Sequence, residues 1–243
     1  MNLKKYAIPL FLLNIAPTAA VQAEGDPLVF ADVFGGYSWS QKQELDFTTA
    51  RAGAPASLSF DDRDLSSGPV YGGRFGAWLM THPSAGIAID VTRFDSDIDN
   101  QTATINEQSA VFTGTRVGGT GDLRIANVVA TIDLILRHKG ERFTPYMMAG
   151  PGLMFTSIDD DGGVLGLQDD DHEMTFAFKA GAGISYKVND TMHLFTEYRY
   201  LHGSPEYEMK ATDAFTVPAS TANSSVKLDI DTHVIVGGMS IRF

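Results

Sequence analysis

The sequence contains no cysteine. That excludes disulfide staples and thiolate metal sites, and it excludes a lipoprotein, which needs a cysteine at its cleavage point to carry lipid. Positive charge is scarce: 18 Lys and Arg stand against 30 Asp and Glu, for a formal net charge of −12. So acidic a chain is a poor partner for nucleic acid. A long apolar run is missing too. The N-terminal stretch Tyr6 to Ala16 falls well short of the roughly 20 residues of a spanning helix, and Pro9, Asn14 and Pro17 interrupt it. Only helices and closed barrels satisfy every backbone polar group in lipid, so a mature chain in a membrane must here be a β-barrel.

The N-terminus has the layout of an export signal. Lys4 and Lys5 precede the apolar stretch, and Val21-Gln22-Ala23 supplies the small-x-small pattern of a cleavage site. The expected division is a signal peptide at 1–23 and a barrel domain at 24–243. Cleavage removes two lysines and no acid, moving the formal charge from −12 to −14.

From Val29 onward the dominant signal is alternation with period two. In Met174 to Tyr186, Met174, Phe176, Phe178, Ile184 and Tyr186 share one face, while Thr175, Lys179, Gly181, Gly183 and Ser185 share the other. At ~3.3 Å per residue and a tilt of about 45°, that segment rises roughly 30 Å, enough to cross a bilayer. Ile87, Ile89 and Val91 alternate with Asp90 and Thr92; Val128, Ile132 and Leu134 with Asn127, Thr131 and Asp133; Leu194, Tyr198 and Tyr200 with His193, Glu197 and Arg199. The first strand (Val29 to Ser40) and the fifth (Phe143 to Thr156) are less regular, and Pro151 in the fifth predicts a bulge.

Eight strands follow, joined by unequal connections. About Gln41–Ser67, Asp95–Arg124, Ser157–Glu173 and Gly203–Val226 are long; His82-Pro83-Ser84, Lys139-Gly140-Glu141 and Asn189-Asp190 are tight turns. Alternating long and short connections are the outer-membrane pattern. The reading is all-β: an eight-stranded antiparallel up-and-down transmembrane β-barrel with four long extracellular loops and three short periplasmic turns.

A soluble exported barrel with an apolar ligand also alternates, with its apolar face inward. The polar face argues for the membrane. It mixes Gly72, Gly76, Gly181, Gly183 and Gly238 with Arg74, Asp90, Asp133, Arg137, Lys179, Glu197 and Arg199. A narrow lumen wants small residues beside paired charges, since buried charge is tolerated only when paired. The expected interior network links Asp90, Asp133 and Glu197 to Arg74, Arg137, Lys179 and Arg199.

The last strand alternates to the end, with Ile235, Met239, Ile241 and Phe243 on one face. A terminal Phe, with Gly238 five residues before it, resembles the signal read by the barrel-insertion machinery, although Ile241 is aliphatic where that signal has an aromatic. Gly72-Gly73-Arg74-Phe75-Gly76, Gly86-Ile87-Ala88-Ile89-Asp90-Val91, Pro145-Tyr146 with Gly150-Pro151-Gly152, and Phe195-Thr196-Glu197-Tyr198-Arg199-Tyr200 resemble the OmpA-like outer-membrane β-barrel family. The resemblance implies location in the cell outer membrane. It also implies a structural or surface-exposed role, or slow passage of small solutes; larger members of that family carry a periplasmic peptidoglycan-binding domain, which is not expected here. Expected partners are outer-membrane lipid, lipopolysaccharide and, through Phe243, the insertion machinery. No partner for the loops follows from their composition.

Three local features invite chemistry. Asp159-Asp160-Asp161 and Asp169-Asp170-Asp171-His172-Glu173 cluster carboxylates, but their spacing fits no calcium loop, and a solvated acidic loop is the better reading. His202 and Ser204 share the outward row of the seventh strand, and parity puts Asp231 and His233 outward on the eighth. A Ser, His and Asp meeting at the outer-leaflet rim could cleave an ester of lipid A. The pattern resembles the His-x-Ser of lipid A 3-O-deacylase barrels, with Pro205 in place of their Asn and Asp231 in place of Glu. Arg93, outward above Val91, either pairs with lipopolysaccharide phosphates near the outer interface or is an arginine in the loop base. The leading expectation is a non-enzymatic barrel with no catalytic, metal or cofactor residue, and the esterase at Ser204, His202 and Asp231 is the alternative.

Overall fold

The computed structural model describes residues 28–40, 43–50, 56–63, 67–96, 102–108, 113–119, 124–159, 171–211 and 222–243; the expected export signal lies outside them. The described strands are, in chain order, β1 (Val29–Ser40), β2 (Gln43–Ala50), β3 (Ala56–Arg63), β4 (Gly68–Trp78), β5 (Ala85–Asp95), β6 (Thr102–Gln108), β7 (Thr113–Gly119), β8 (Arg124–Arg137), β9 (Phe143–Asp159), β10 (Asp171–Lys187), β11 (Met192–Gly203), β12 (Glu206–Ala211), β13 (Ala222–Leu228) and β14 (Ile230–Arg242). Eight of them close a barrel in the order β1-β14-β11-β10-β9-β8-β5-β4, every pair antiparallel. Closure joins the two ends of the chain: Phe243 N–H donates to the Val29 carbonyl at 2.9 Å, one step beyond the Phe30–Arg242 pair.

The remaining six strands form a second sheet in the order β12-β13-β2-β3-β6-β7. Each of its hairpins is one of the long connections, so three of the four long loops carry regular structure where the sequence showed only polar chain. The reason is physical. A membrane strand repeats a wide contrast between lipid face and lumen face, whereas a strand in water needs only short, shallow alternation.

At the opposite end the turns are short. Leu79 N–H donates to the Ala85 carbonyl at 2.9 Å around Pro83 and Ser84. The Asn189 side chain accepts from the N–H groups of Thr191 and Met192 at 3.0 and 2.7 Å, an Asx-type closure. Beside it, a hydrogen bond from Lys187 at 2.6 Å holds the exposed Asp190 carboxyl below the usual carboxylate range.

Pro151 produces no bulge. The β8–β9 register is the same on both sides of it, and its pairing with Phe178 on β10 is regular. The missing N–H only interrupts the ladder toward β8, between the Thr131–Gly152 and Leu134–Ala149 pairs.

The outer face is a continuous apolar belt. Val33, Phe75, Ile89, Ile132, Met147, Phe176, Leu194 and Ile235, one from each barrel strand, are all exposed. An apolar surface surrounding the whole molecule has no stable place in water. It is a lipid-contact surface, and the core lies inside the barrel.

Candidate functional site: lumen and outer rim

Seven of the eight barrel strands send a side chain into one buried polar network. Arg74 (β4) donates Nε and Nη2 to Asp32 Oδ2 of β1, both at 2.7 Å, and Nη1 to Glu197 Oε2 of β11 at 3.1 Å. Glu197 also receives the hydroxyl of Tyr146 (β9) at 2.7 Å and Nε of Arg199. Arg199 reaches Asp90 (β5) at 3.3 Å and the Thr92 hydroxyl at 3.0 Å. Lys179 (β10) joins Asp90 at 3.0 Å to Asp133 (β8) at 2.6 Å. All seven ionised side chains are essentially inaccessible to solvent.

Six of the seven charged residues expected to meet in the lumen do so. Arg137 is placed otherwise: its guanidinium stacks 3.6 Å from the centre of the Trp78 ring, and its Nε donates to the Pro83 carbonyl at 2.9 Å. Strand position explains this, because Arg137 is the last residue of β8, four residues past Asp133 toward the periplasmic turn. Asp32 is the member that sequence reasoning missed. Its strand presents Phe30 and Phe34 inward and Val33 and Tyr37 outward, so hydrophobicity gives no parity. An acid flanked at two-residue spacing by inward aromatics was the available signal.

The glycines of the lumen face receive rings. Directly opposite pairs are Phe34–Gly72, Phe30–Gly76, Trp78–Gly86, Tyr146–Gly183 and Phe195–Gly238. A Cβ on Gly72 would lie 2.7 Å from the Phe34 ring, so the ring lies flat across the glycine. Cations cover the other side: Arg199 lies 3.9 Å from the Phe34 centroid, and Arg74 lies 5.4 Å from that of Phe195. Glycine, ring and guanidinium thus stack inward, the ring quadrupole attracting the charge.

Toward the extracellular end the lumen is apolar, which differs from the charge-filled interior expected throughout. Val70, Phe94, Ile125, Val129, Met154, Leu201, Ile230 and Val234 pack there, all at or below 2% exposure. These residues alternate with outward apolar ones, so the two faces cannot be told apart by hydropathy.

On the outer surface near the extracellular strand ends, β1, β11 and β14 build an aromatic-histidine cluster. Tyr198 Oη and His233 Nδ1 are 2.6 Å apart, and Trp39 stacks on the His233 ring at 5.9 Å. His202 Nδ1 lies 2.8 Å from Asp231 Oδ1, which also accepts from the Tyr200 hydroxyl. Two of the three candidate esterase residues therefore meet. The Ser204 contribution described is its carbonyl, which accepts from Thr175 at 3.0 Å. Arg93 is half-buried on the outer face, paired across the ladder with Tyr71. Residues 160–170 of the acidic loop lie outside the described residues.

The family model described as outer membrane protein beta-barrel domain matches residues 10–243. The structure is similar to the outer membrane protein OprG from Pseudomonas aeruginosa, with 14% identity and a TM-score of 0.57, covering 91% of this chain and 99% of that one. It is also similar to Neisserial surface protein A, at 13% identity and a TM-score of 0.46 over 88% and 97% of the two chains. The outer membrane protease OmpT from Escherichia coli is similar at 8% identity and a TM-score of 0.46, over 93% and 99%. No curated protein matches the sequence.

Proposed function

The chain belongs to the outer membrane β-barrel domain family, and from that premise we propose a non-enzymatic, surface-exposed protein whose barrel anchors extracellular strands and passes small solutes slowly at most. Its place is the outer membrane. The observation that carries the proposal is the network from Asp32 to Asp133, which spans the lumen and leaves no charged member in water. Above it, packed Phe94, Met154 and Leu201 close the extracellular half. An open channel needs neither barrier. What the barrel holds up is the six-stranded sheet built from its long loops, a surface outside the cell that suits recognition better than conduction.

Single-channel recording in planar bilayers tests this reading. The expected trace is free of large, stable open steps, and such steps would overturn the closed lumen. A second reading, hydrolysis of a lipid A ester, is favoured by one contact, the 2.8 Å approach of His202 to Asp231. That pairing is how a carboxylate orients a general base. Mass spectrometry of lipid A from cells expressing wild type or Ser204→Ala decides it: unchanged lipid A in both removes the esterase.

A further inference from the structure

Arg93 is a cation that the buried network does not use. It lies on the outward row of β5, after Ile87, Ile89 and Val91, all exposed in the apolar belt. Its neighbours Thr92 and Phe94 are buried, so its side chain is on the far side of the sheet from the lumen acids. Nε of Arg93 is enclosed and has no hydrogen-bond partner, and among the described residues no acid pairs with the guanidinium. Asp95, next on the same row, is no exception; its Oδ1 is buried and unpartnered as well. Register sets the height of Arg93 in the wall. Ile89 stands opposite Ile132, near the middle of β5 and β8. Four residues on, at ~3.3 Å each and a tilt of about 45°, Arg93 is roughly 9 Å nearer the extracellular side. The apolar band of an outer-membrane barrel is about 25 Å tall, so Arg93 sits just under its upper edge, within snorkelling reach of the headgroups.

We propose that Arg93 and Tyr71 hold a phosphate of the outer-leaflet glycolipid, lipopolysaccharide, against the barrel wall. Tyr71 stands directly opposite Arg93 on β4 and is 53% exposed. Residues opposed across a ladder have Cβ atoms about 5 Å apart, so one phosphate can accept from the guanidinium and the phenol together. The guanidinium fork offers phosphate two parallel N–H donors. A cation left unpaired at the edge of hydrocarbon is costly, and a phosphate at headgroup level offsets that cost. Below Tyr71 the next outward residue is Gly73, which leaves a notch between Val33 and Val91, both exposed. An acyl chain of the same lipid fits that notch as it runs down the belt.

The folded protein in detergent is titrated with bisphosphorylated lipid A and with lipid A stripped of both phosphates, and bound lipid is counted by native mass spectrometry. A further series adds inorganic phosphate as competitor. The expected result is a first lipid A bound at least about ten-fold more tightly than its dephosphorylated form, the worth of one charged contact. Arg93→Gln should erase that preference, and Arg93→Lys, which keeps the charge but not the fork, should retain part of it. Tyr71→Phe should weaken binding about three-fold, the loss of one neutral hydrogen bond. Heat-dependent gel migration establishes that each variant has folded. Equal affinity for the two forms of lipid A, displacement of the lipid by inorganic phosphate, or equal preference in wild type and Arg93→Gln would overturn the proposal. The inference rests on the outer-membrane placement alone. Conductance reports on the lumen and lipid binding on the outer wall, so either can fail without the other.

Discussion

The guanidinium carbon of Arg199 lies 3.9 Å above the ring of Phe34, and the far side of that ring rests on Gly72. The three residues come from three strands, and only one of them is charged. The stack explains how a lumen filled by side chains can hold a cation: the ring supplies attraction on one side, and Glu197 and Asp90 supply it along the guanidinium edge. Glycine is required because a Cβ would meet the Val91 carbonyl oxygen at 2.2 Å and the Phe34 ring at 2.7 Å.

Gly72→Ala tests the stack. Its methyl would sit 2.2 Å from the Val91 carbonyl oxygen on β5 and 2.7 Å from the Phe34 ring, so both the β4–β5 ladder and the ring must give. Overpacking of this kind costs about 1–3 kcal/mol. Urea unfolding in lipid vesicles should show the loss, and Phe34→Leu in the same chain should recover only the ring's share of it, leaving the clash with the Val91 carbonyl. If alanine is accepted without change in midpoint, neither the ring nor the Val91 carbonyl crowds the glycine.

Lys179 and Asp133 provide the sharper electrostatic test. They meet at 2.6 Å across β9, which separates their strands, and both are fully buried. Lys179→Met leaves Asp90 its contact with Arg199 at 3.3 Å but strips Asp133 of the lysine. An uncompensated buried charge costs about 3–5 kcal/mol. The double variant Asp133→Leu with Lys179→Met removes both charges and should be more stable than either single variant. A double variant as unstable as the sum of the singles would mean that the two side chains act independently.

Glu197 is the hub, joining Arg74, Arg199 and Tyr146. Glu197→Ala leaves two buried guanidiniums short of an anion and should destabilise the barrel by about 3–5 kcal/mol. Glu197→Gln keeps an acceptor for the Tyr146 hydroxyl and should lose less. The ordering of the three unfolding midpoints is the measurement; equal midpoints for wild type and alanine would place Glu197 in water.

Much of this network was legible because period-two alternation sorts residues by face without any knowledge of contacts. Arg74, Asp90, Asp133, Lys179, Glu197 and Arg199 all stand on polar rows beside clearly apolar ones. Parity carries no partner information, however, so it groups Arg137 with the acids, whereas its guanidinium stacks on Trp78. Asp32 escaped because Phe30 and Phe34 flank it on its own face. The apolar upper lumen escaped for the same reason: Ile125 and Val129 are inward on a strand whose outward residues are Val128 and Ile132. Residue type distinguishes lumen from lipid only where the lumen is polar. The meeting of His202 with Asp231 followed from strand parity together with the register of β11 on β14, and sequence supplies only the parity.

The outward belt makes a prediction that separates a membrane barrel from one in water. Ile132 is 60% exposed near the middle of β8, and Met80 is 81% exposed beside a periplasmic turn. By exposure alone, arginine should be tolerated at both, and better at neither. Lipid imposes a depth dependence instead: an outward Arg costs about 2–4 kcal/mol at the bilayer midplane and about 0–1 near the interface. Ile132→Arg should therefore lower stability in vesicles by that larger amount, while Met80→Arg stays near wild type. Repeating the pair in a short-chain detergent, whose thin apolar layer lets the guanidinium reach water, should narrow the gap. Equal small losses at the two positions in vesicles would mean that the belt around Ile132 does not face lipid.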